Sequence, residues 1–290
     1  MFDLKKLTDS YEMKNGVKIP CVGYGTWQTP DGETAVQSVK TAIECGYRHI
    51  DGAAVYGNEQ SVGEGIQAGL KSTGIKREDL FVTSKVWTVD RGYENTLKAC
   101  EKSLKDFGLE YFDLYLIHWP ANGVNCENWD EMNLESWRAM IDLYKAGKVR
   151  AIGVSNFLPH HLESLMKTEI PPMVDQIEFH PGFIREETIK YCQEHGILVE
   201  AWSPMGSGAV LQNETLKEIA SKYGKTVAHI CIRWCLQHGA IPLPKSVTPS
   251  RILDNTNVFD FVLADEDMAV IDAMEECGYS GNDPDTFNVF

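Results

Sequence analysis

Four residues with ionisable side chains lie at or just beyond the ends of three consecutive apolar stretches. Asp51, Lys85 and His118 each end one stretch, and Tyr56 follows shortly after Asp51. We expect Lys85, with Asp51 as its counter-ion, to lower the pKa of the Tyr56 phenol from about 10. Such a phenol can exchange a proton near neutral pH, and His118 adds a second hydrogen-bond donor for a substrate oxygen. The pattern predicts general acid–base catalysis with Tyr56 as proton donor and a neutral, orienting His118.

The same residues allow two other interpretations. Any one of them alone is most simply explained as a structural ion pair or a capped strand end. Lys85 could also be the nucleophile of a Schiff-base barrel lyase, although that alternative gives Tyr56 no role. Because all four residues cluster at neighbouring strand ends, an active site that uses them together is favoured.

Eight short apolar or β-branched stretches alternate with segments of helical periodicity along the chain. Such alternation predicts parallel strands joined by crossover helices, and eight units in a chain of this length favour a closed barrel. The predicted fold class is α/β, a (β/α)8 TIM barrel with an N-terminal β-hairpin cap. The predicted strands are 22–25, 48–51, 80–85, 112–118, 149–154, 174–177, 197–202 and 240–243.

The two ends of the chain flank this barrel, which we expect to be a single domain spanning residues 1–290. Alternating apolar and polar residues around Asn15-Gly16 predict a hairpin within 8–20 that caps one end of the barrel. Residues 277–290 are expected to form a loop over the substrate pocket. Phe287 either closes over the pocket or belongs to a frayed chain end. Phe290 is a second candidate for that contact.

The charge distribution separates classes of partner. A net charge of −15 argues against nucleic acids and anionic membranes, both of which require a cationic face. Residues 219–253 contain no Asp or Glu. This stretch indicates a bound anion such as a phosphate, or a chance cluster that includes cations at helix C-termini. Its cations are Lys222, Lys225, Arg233, Lys245 and Arg251.

The absence of targeting signals and the scattered cysteines predict a cytoplasmic protein. No apolar stretch reaches the roughly 18 residues of a membrane helix, and the N-terminus lacks the apolar run of a signal peptide. The eight cysteines are scattered without a C-x-x-C pair, so reduced thiols are expected.

Two motif matches are rejected on their context. The glycines of Gly63-x-Gly65-x-x-Ala68 lie within a predicted helix and not at a strand-to-helix turn, so they cannot cradle a pyrophosphate. His229, Cys231, Cys235 and His238 share one predicted helix, where buried thiols are more common than zinc ligands. We therefore expect no metal.

Several long motifs resemble the aldo-keto reductase superfamily, and the resemblance spans nearly the whole chain. The most specific is the sequence GYRHIDGAAVYGNEQSVG at 46–63, which contains Asp51 and Tyr56. Further blocks are GYGTW at 23–27, SKVW at 84–87, IGVSNF at 152–157 and PKSVTPSRILDN at 244–255. The chain is similar in particular to bacterial aldehyde, ketone and diketogluconate reductases of that superfamily. Gly52 departs from the pattern, since many members carry Thr or Ser there.

The resemblance implies a (β/α)8 barrel that reduces an aldehyde or ketone with NADPH, with Asp51, Tyr56, Lys85 and His118 as catalytic tetrad. Relatives without catalytic activity leave a non-catalytic or regulatory NADPH-binding barrel as an alternative, against which the complete tetrad argues. The implied cofactor residues are Gly25, Thr26, Asp51, Ser155, Asn156, Gln176, Trp202, Ser203, Met205, Ser207, Lys245, Ser246, Val247, Thr248, Arg251 and Asn255.

The substrate pocket is the least specific part of the resemblance. Trp27, Val55, Trp87 and Trp119 are expected to line it together with His118. A small or open-chain carbonyl compound, including sugar-derived ones, is the expected substrate. The resemblance also implies a monomer.

Overall fold

A computed structural model describes residues 4–288 of the chain. Eight parallel strands form the central sheet, in the order in which they occur in the sequence. They are β3 (Tyr24–Gly25), β4 (His49–Asp51), β5 (Phe81–Val86), β6 (Leu114–Ile117), β7 (Ile152–Ser155), β8 (Val174–Glu178), β9 (Leu198–Trp202) and β10 (Ile241–Pro242). Each of the eight predicted stretches overlaps one of these strands, so the predicted fold class is confirmed.

Backbone hydrogen bonds join the first strand to the last and close the barrel. Gly23 N donates to Pro242 O at 3.0 Å, and Gly25 N donates to Pro244 O at 3.1 Å. Glycine is required at position 23, because a Cβ there would lie 2.4 Å from Leu243 and 2.7 Å from His49. Closure leaves the central sheet without a free edge.

Helices surround the barrel and connect its strands. No helix within residues 4–288 is both long enough and apolar enough to cross a membrane. The helices are α1 (Glu33–Glu44), α2 (Glu59–Thr73), α3 (Tyr93–Phe107), α4 (Trp129–Lys145), α5 (Pro159–Leu165), α6 (Glu186–His195), α7 (Glu214–Tyr223), α8 (Val227–Gln237), α9 (Pro249–Asp254) and α10 (Asp265–Asp272). Short 3-10 turns occupy Ala54–Tyr56, Arg77–Asp79, Thr88–Asp90 and Gly206–Gln212.

The rejected glycine motif lies inside α2, as its periodicity indicated. A Cβ on Gly63 would lie 2.3 Å from Phe107 O of α3, and one on Gly65 would lie 2.8 Å from Val36 O of α1. These glycines allow α2 to pack closely against both neighbouring helices.

The N-terminal hairpin is also confirmed. Strands β1 (Ser10–Glu12) and β2 (Lys18–Pro20) pair antiparallel, and Gly16 takes the positive φ of 81° that the turn requires. The Asn15 amide donates to Arg150 O at 2.9 Å, just before β7. The hairpin therefore contacts the N-terminal end of the barrel and leaves the C-terminal mouth open.

Candidate functional site

Asp51 and Lys85 form a buried ion pair at the C-terminal mouth of the barrel. They end adjacent strands, and Lys85 Nζ lies 2.8 Å from each carboxylate oxygen of Asp51. The Lys85 side chain is completely buried. Burial alone would lower the pKa of Lys85, but Asp51 and then Tyr56 outweigh it, so the pKa lies above its usual value. A permanently charged ammonium therefore lies at the centre of the site.

The same ammonium reaches the Tyr56 hydroxyl. Lys85 Nζ donates to Gly52 O at 2.9 Å and to Tyr56 Oη at 3.2 Å, in addition to its bond with Asp51. An ammonium has three hydrogens, and these three partners engage all of them. Because Tyr56 Oη accepts a hydrogen bond from Lys85, its own hydrogen remains free to point away from the ion pair.

The prediction that the pKa of Tyr56 is lowered is wrong. Lys85 does lower the pKa of the phenol, but burial has the larger effect and raises the pKa to about 12. The reason is that burial destabilises the phenolate more than one ammonium stabilises it, and Asp51 adds repulsion. Tyr56 thus keeps its proton throughout the neutral range.

His118 follows β6 and faces Tyr56. The two rings meet edge to face with centroids 5.6 Å apart, and Trp87 makes a similar contact at 5.1 Å. Burial, followed by repulsion from Lys85, holds the pKa of His118 well below its usual value. The imidazole is therefore neutral, as its apolar neighbours indicated, and one of its nitrogens can donate a hydrogen bond at the mouth.

Aromatic side chains form one wall beside these groups. Phe287 stacks on Trp119 with ring centroids 3.8 Å apart, and it meets Trp87 edge to face at 6.1 Å. Two other predicted pocket residues, Trp27 and Val55, are 46% and 42% exposed and lie on the rim. Of the predicted pocket residues, Trp87, Trp119 and His118 thus lie together.

The C-terminal segment that carries Phe287 is held by the loop after β6. The Asn122 amide donates to Pro284 O at 2.8 Å and to Phe287 O at 2.9 Å. Asn125 donates to the same Phe287 carbonyl at 2.9 Å. The second aromatic candidate, Phe290, lies outside the described residues.

A histidine pair also holds this segment. His160 Nε2 and His161 Nε2 lie 2.8 and 3.3 Å from Asp285 Oδ1. These are metal-ligand types, but Leu158 N donates to His161 Nδ1 at 3.1 Å, which leaves the ring proton of a neutral His161 on Nε2. A metal ligand needs that nitrogen unprotonated. The group therefore fits a hydrogen-bonded clasp better than a metal site.

The four residues considered as zinc ligands have other roles in the structure. His229 Nε2 contacts Asp254 O at 2.8 Å, and His238 Nε2 contacts Asp272 Oδ1 at 2.9 Å. Cys231 and Cys235 are buried in the core, and all eight cysteines are free thiols.

The C-terminal ends of β7, β8 and β9 bring together the polar residues expected to hold the nicotinamide end of a cofactor. Asn156, at a positive φ of 64°, donates to His118 O at 3.0 Å. Trp202 Nε1 donates to Asn156 Oδ1 at 2.8 Å, which fixes the indole at the mouth. Ser155 Oγ donates to Gln176 O at 2.7 Å. These bonds connect the expected cofactor side directly to His118.

Other expected cofactor residues lie on both sides of this cluster. Thr26 donates from N and Oγ1 to Asp51 O at 3.0 and 2.8 Å. A Cβ on Gly25 would lie 3.1 Å from Leu243 O, so β3 runs directly beside the segment that leads to Lys245. Ser203 and Ser207, both at positive φ, hydrogen-bond through their hydroxyls at 2.9 Å, with Met205 half-buried between them.

The cations of the acid-free stretch, residues 219–253, differ in whether they have a carboxylate partner. Lys222 is paired with Asp267 at 2.7 Å and Lys225 with Asp260 at 2.6 Å. Among the described residues, Lys245 Nζ donates only to the neutral Gln28 carbonyl, at 2.9 Å. Exposed Arg251, on α9, has no hydrogen-bond or carboxylate partner for its side chain within residues 4–288. Arg233, in α8, donates to the neutral oxygens Gln237 Oε1 and Val258 O. Lys245 and Arg251 are therefore the two cations of segment 244–255, and neither has a carboxylate partner within residues 4–288.

The remaining expected contacts lie on that same segment. The Tyr24 hydroxyl donates to Ser246 O at 2.5 Å. Thr248 N donates to Ser246 Oγ at 3.1 Å. Val247 is exposed, whereas Asn255 is buried. Cations, hydroxyls and an exposed apolar side chain together suit a phosphate beside an adenine ring.

Two features of the site were missed by sequence reasoning. Glu200 lies within the predicted strand 197–202, where a carboxylate among apolar residues was the available signal. Asn122, which anchors the C-terminal segment, had no such signal, because its partners are 162 and 165 residues away in the sequence.

Comparison with known proteins identifies the family. A model of the aldo/keto reductase family matches residues 21–276. The uncharacterized oxidoreductase YtbE of Bacillus subtilis is 53% identical over 277 residues, covering 95% of this chain and 96% of that protein. Glyoxal reductase of Bacillus subtilis is 50% identical over 280 residues, covering 96% and 97% respectively.

A solved structure agrees with these relatives. An aldo-keto reductase of Bombyx mori, determined in complex with NADP, matches with a TM-score of 0.87 and 34% identity, covering 97% of this chain and 99% of that chain. The chain belongs to the aldo/keto reductase family and is an oxidoreductase that reduces carbonyl groups.

Proposed function

We propose that this reductase transfers hydride from NADPH to a small aldehyde or ketone, with Tyr56 as the general acid. The observation that carries the proposal is the hydrogen inventory of Lys85. Its three hydrogens go to Asp51, Gly52 O and Tyr56 Oη, so the phenol accepts from the ammonium and keeps its own hydrogen for a substrate oxygen.

The residues divide the reaction between them. NADPH supplies the hydride, and negative charge then develops on the carbonyl oxygen. Tyr56 donates its proton to that oxygen, and Lys85 stabilises the resulting phenolate. Neutral His118 donates a hydrogen bond that orients the carbonyl. Asp51 keeps Lys85 charged and positioned.

A Schiff-base lyase fits the same lysine poorly. A nucleophilic lysine needs a lowered pKa and a free amine. Asp51 instead raises the pKa of Lys85, and all of its hydrogens are engaged. A non-catalytic NADPH-binding barrel would have no use for a phenol whose hydrogen faces the mouth.

The cofactor would lie along the C-terminal mouth. Trp202 would stack on the nicotinamide ring. The carboxamide group of the nicotinamide would be held by the nearest polar residues, Ser155, Asn156 and Gln176. Lys245 and Arg251 would hold the 2′-phosphate, since neither has a carboxylate partner in the part of the chain that the structure describes. The other proposed contacts are Gly25, Thr26, Asp51, Ser203, Met205, Ser207, Ser246, Val247, Thr248 and Asn255.

The substrate would enter beside the aromatic wall. Trp87 and Trp119 would line the pocket, and Trp27 and Val55 would form its rim. We propose that residues 277–290 cover it through Phe287. A small carbonyl compound is supported by the relative named glyoxal reductase, at 50% identity. We further propose a monomeric, single-barrel protein of the cytoplasm.

The cofactor preference tests the phosphate assignment. Charge-assisted hydrogen bonds contribute about 1.5–3 kcal/mol each, or roughly tenfold or more in affinity. Arg251→Ala should therefore weaken NADPH binding at least about tenfold and leave NADH binding nearly unchanged. Arg138→Ala, which removes an exposed arginine on α4, is the matched control. Equal weakening of both cofactors in a fluorescence titration would refute the assignment.

A further inference from the structure

Glu200 lies inside the barrel, below the mouth and the tetrad. Its side chain is completely buried in β9, where it pairs with Gln176 of β8 and Ile241 of β10. A buried carboxylate is costly unless hydrogen bonds or charges compensate it. Neither the proton donor nor the expected cofactor contacts require it, so its presence needs a separate explanation.

The amide of Gln176 joins Glu200 to the catalytic ion pair. Gln176 Nε2 donates to Asp51 Oδ1 at 2.9 Å and to Glu200 Oε2 at 2.8 Å. An amide nitrogen has only two hydrogens, so both are engaged by carboxylates. Glu200 therefore fixes the orientation of Gln176, which in turn restricts Asp51 and its partner Lys85.

The groups that face Glu200 do not balance a second negative charge. Asp51 and Lys85 already neutralise each other, and β10 contributes the apolar Ile241. His49 Nε2 lies 3.5 Å from Glu200 Oε1, but burial and then Lys85 lower the pKa of His49 to about 3, so this ring is neutral.

The Oε1 atom of Glu200 is the oxygen that can carry a proton. Glu200 Oε1 has no hydrogen-bond partner within residues 4–288. Burial, with repulsion from Asp51 as the next cause, raises the pKa of Glu200 to about 8. Glu200 also bears on the phenol, because its ionised form raises the pKa of Tyr56. At neutral pH the site therefore contains one exchangeable proton that the tetrad does not use.

We propose that Glu200 is a positioning residue that fixes the Gln176–Asp51–Lys85 chain and releases its proton to solvent when the cationic ring of NADP+ occupies the site. The nicotinamide ring of NADPH is uncharged, so its binding leaves that proton in place. Loss of H+ from the Glu200 carboxyl as a cationic ring arrives keeps the charge of the buried site constant. The inference rests on the proposed function, since it requires the nicotinamide to lie near Gln176.

Cofactor binding tests the proton without any turnover. Because NADP+ favours the ionised carboxylate, its affinity should rise relative to NADPH as pH increases through about 8. Tryptophan fluorescence titrations from pH 6.5 to 9.5 give the ratio of the two dissociation constants. Titration of the 2′-phosphate is common to both forms and cancels in the ratio. The wild-type ratio should change about threefold to tenfold in favour of NADP+.

Two variants assign the effect to Glu200. Glu200→Gln keeps an acceptor for Gln176 but cannot ionise, so the ratio should become independent of pH. Glu59→Gln is the matched control: Glu59 is also a buried carboxylate of raised pKa, but it bonds Ser84 and Ser103 outside the barrel interior. This control should keep the wild-type pH dependence. A wild-type ratio that is flat, or a dependence that survives in Glu200→Gln, would overturn the proposal.

Proton release gives a measurement that needs no variant. In weakly buffered solution at pH 8 with an indicator dye, saturating wild-type enzyme with NADP+ should release about 0.25–0.4 proton per site, as follows from a threefold to tenfold affinity change. NADPH should release close to none. Equal release by both cofactors would overturn the proposal while leaving the proposed function intact. Failure of either cofactor to bind would instead refute the proposed function itself.

The positioning role predicts a division between kinetic constants. Glu200→Leu removes the acceptor of Gln176, so kcat should fall about tenfold with a smaller change in KM for the carbonyl substrate. Glu200→Gln should restore most of that loss at pH 7, because it again accepts from Gln176. Equal kcat values for the two variants would contradict positioning through Gln176.

Discussion

Removal of the Tyr56 hydroxyl is the most direct perturbation of the proposed chemistry. Tyr56→Phe keeps the ring, including its edge-to-face contact with His118 at 5.6 Å, and deletes only the proton donor. General acid catalysis contributes about 10²–10⁴-fold to rate. That factor corresponds to about 3–5 kcal/mol of barrier. We expect kcat to fall by this factor, while the Kd of NADPH stays nearly constant.

The same change has a structural consequence that can be measured separately. Lys85 loses the acceptor that lies 3.2 Å from Nζ, so the hydrogen of this buried ammonium that faced Tyr56 must share the two Asp51 oxygens and Gly52 O, which already accept from Nζ. A buried donor left wholly unsatisfied would cost about 1–3 kcal/mol, which bounds the loss. The variant should therefore unfold at a slightly lower temperature but remain folded, because a typical domain has about 5–15 kcal/mol of stability.

Single-turnover stopped-flow measurement of NADPH oxidation isolates the chemical step from product release. Tyr93→Phe is the matched control, because that hydroxyl donates to Asp142 on the surface at 2.6 Å, away from the mouth. It should retain wild-type rates. Near wild-type single-turnover rates in Tyr56→Phe, together with loss of activity in His118→Gln, would show that the donor is His118 and refute the assignment.

Two further predictions concern the groups around Tyr56. Asp51→Asn removes the charge that raises the pKa of Lys85; burial then lowers that pKa, so the alkaline limb of the kcat/KM profile should move to lower pH by at least about one unit. An unmoved limb would contradict the ion-pair role. Phe287→Ala removes the ring stacked 3.8 Å from Trp119, so KM for an aromatic aldehyde should rise about tenfold, and for glyoxal less than about threefold. Equal increases for both substrates would argue against Phe287 as a pocket wall.

The clustering of the proposed catalytic tetrad was predictable because each of its members is placed by a local rule. Asp51, Lys85 and His118 end or follow apolar stretches that form neighbouring strands, and parallel strands bring their C-terminal ends to one mouth. Neither the strand register nor the tertiary packing had to be known. The short link between Asp51 and Tyr56 then restricts where the phenol can lie.

The prediction that failed and the contacts that were missed both depend on tertiary packing. The net pKa shift of Tyr56 follows from how completely its hydroxyl is desolvated, which residue types alone do not reveal. The bond between Gln176 and Glu200 depends on the register of β8 and β9, in which these two residues are direct partners. Phe287 contacts Trp119 from a segment distant in sequence, which Asn122 and Asn125 anchor through the Phe287 carbonyl.

The buried ion pair makes more sense as part of the reaction than as a source of stability. Moving two charges out of water costs several kcal/mol per ion, which their attraction offsets only with excellent geometry, and an apolar pair of the same size is often equally stable. Lys85 has that geometry, with Asp51 at 2.8 Å on both oxygens. It keeps a cation in contact with Tyr56, whose negative charge would appear only during catalysis in the proposed mechanism.

A raised pKa for Tyr56 is compatible with this role. A phenol of pKa about 12 stays protonated at neutral pH, so essentially every enzyme molecule holds the proton that reduction requires. The oxygen that receives hydride becomes an alkoxide, which is more basic than a phenolate, so the proton transfer remains downhill. Lys85 then stabilises the phenolate at the moment it forms. In the oxidative direction the same pKa is a disadvantage, because the base form of Tyr56 is scarce at neutral pH. At neutral pH the arrangement therefore supplies the acid form of Tyr56, which the proposed mechanism of carbonyl reduction requires.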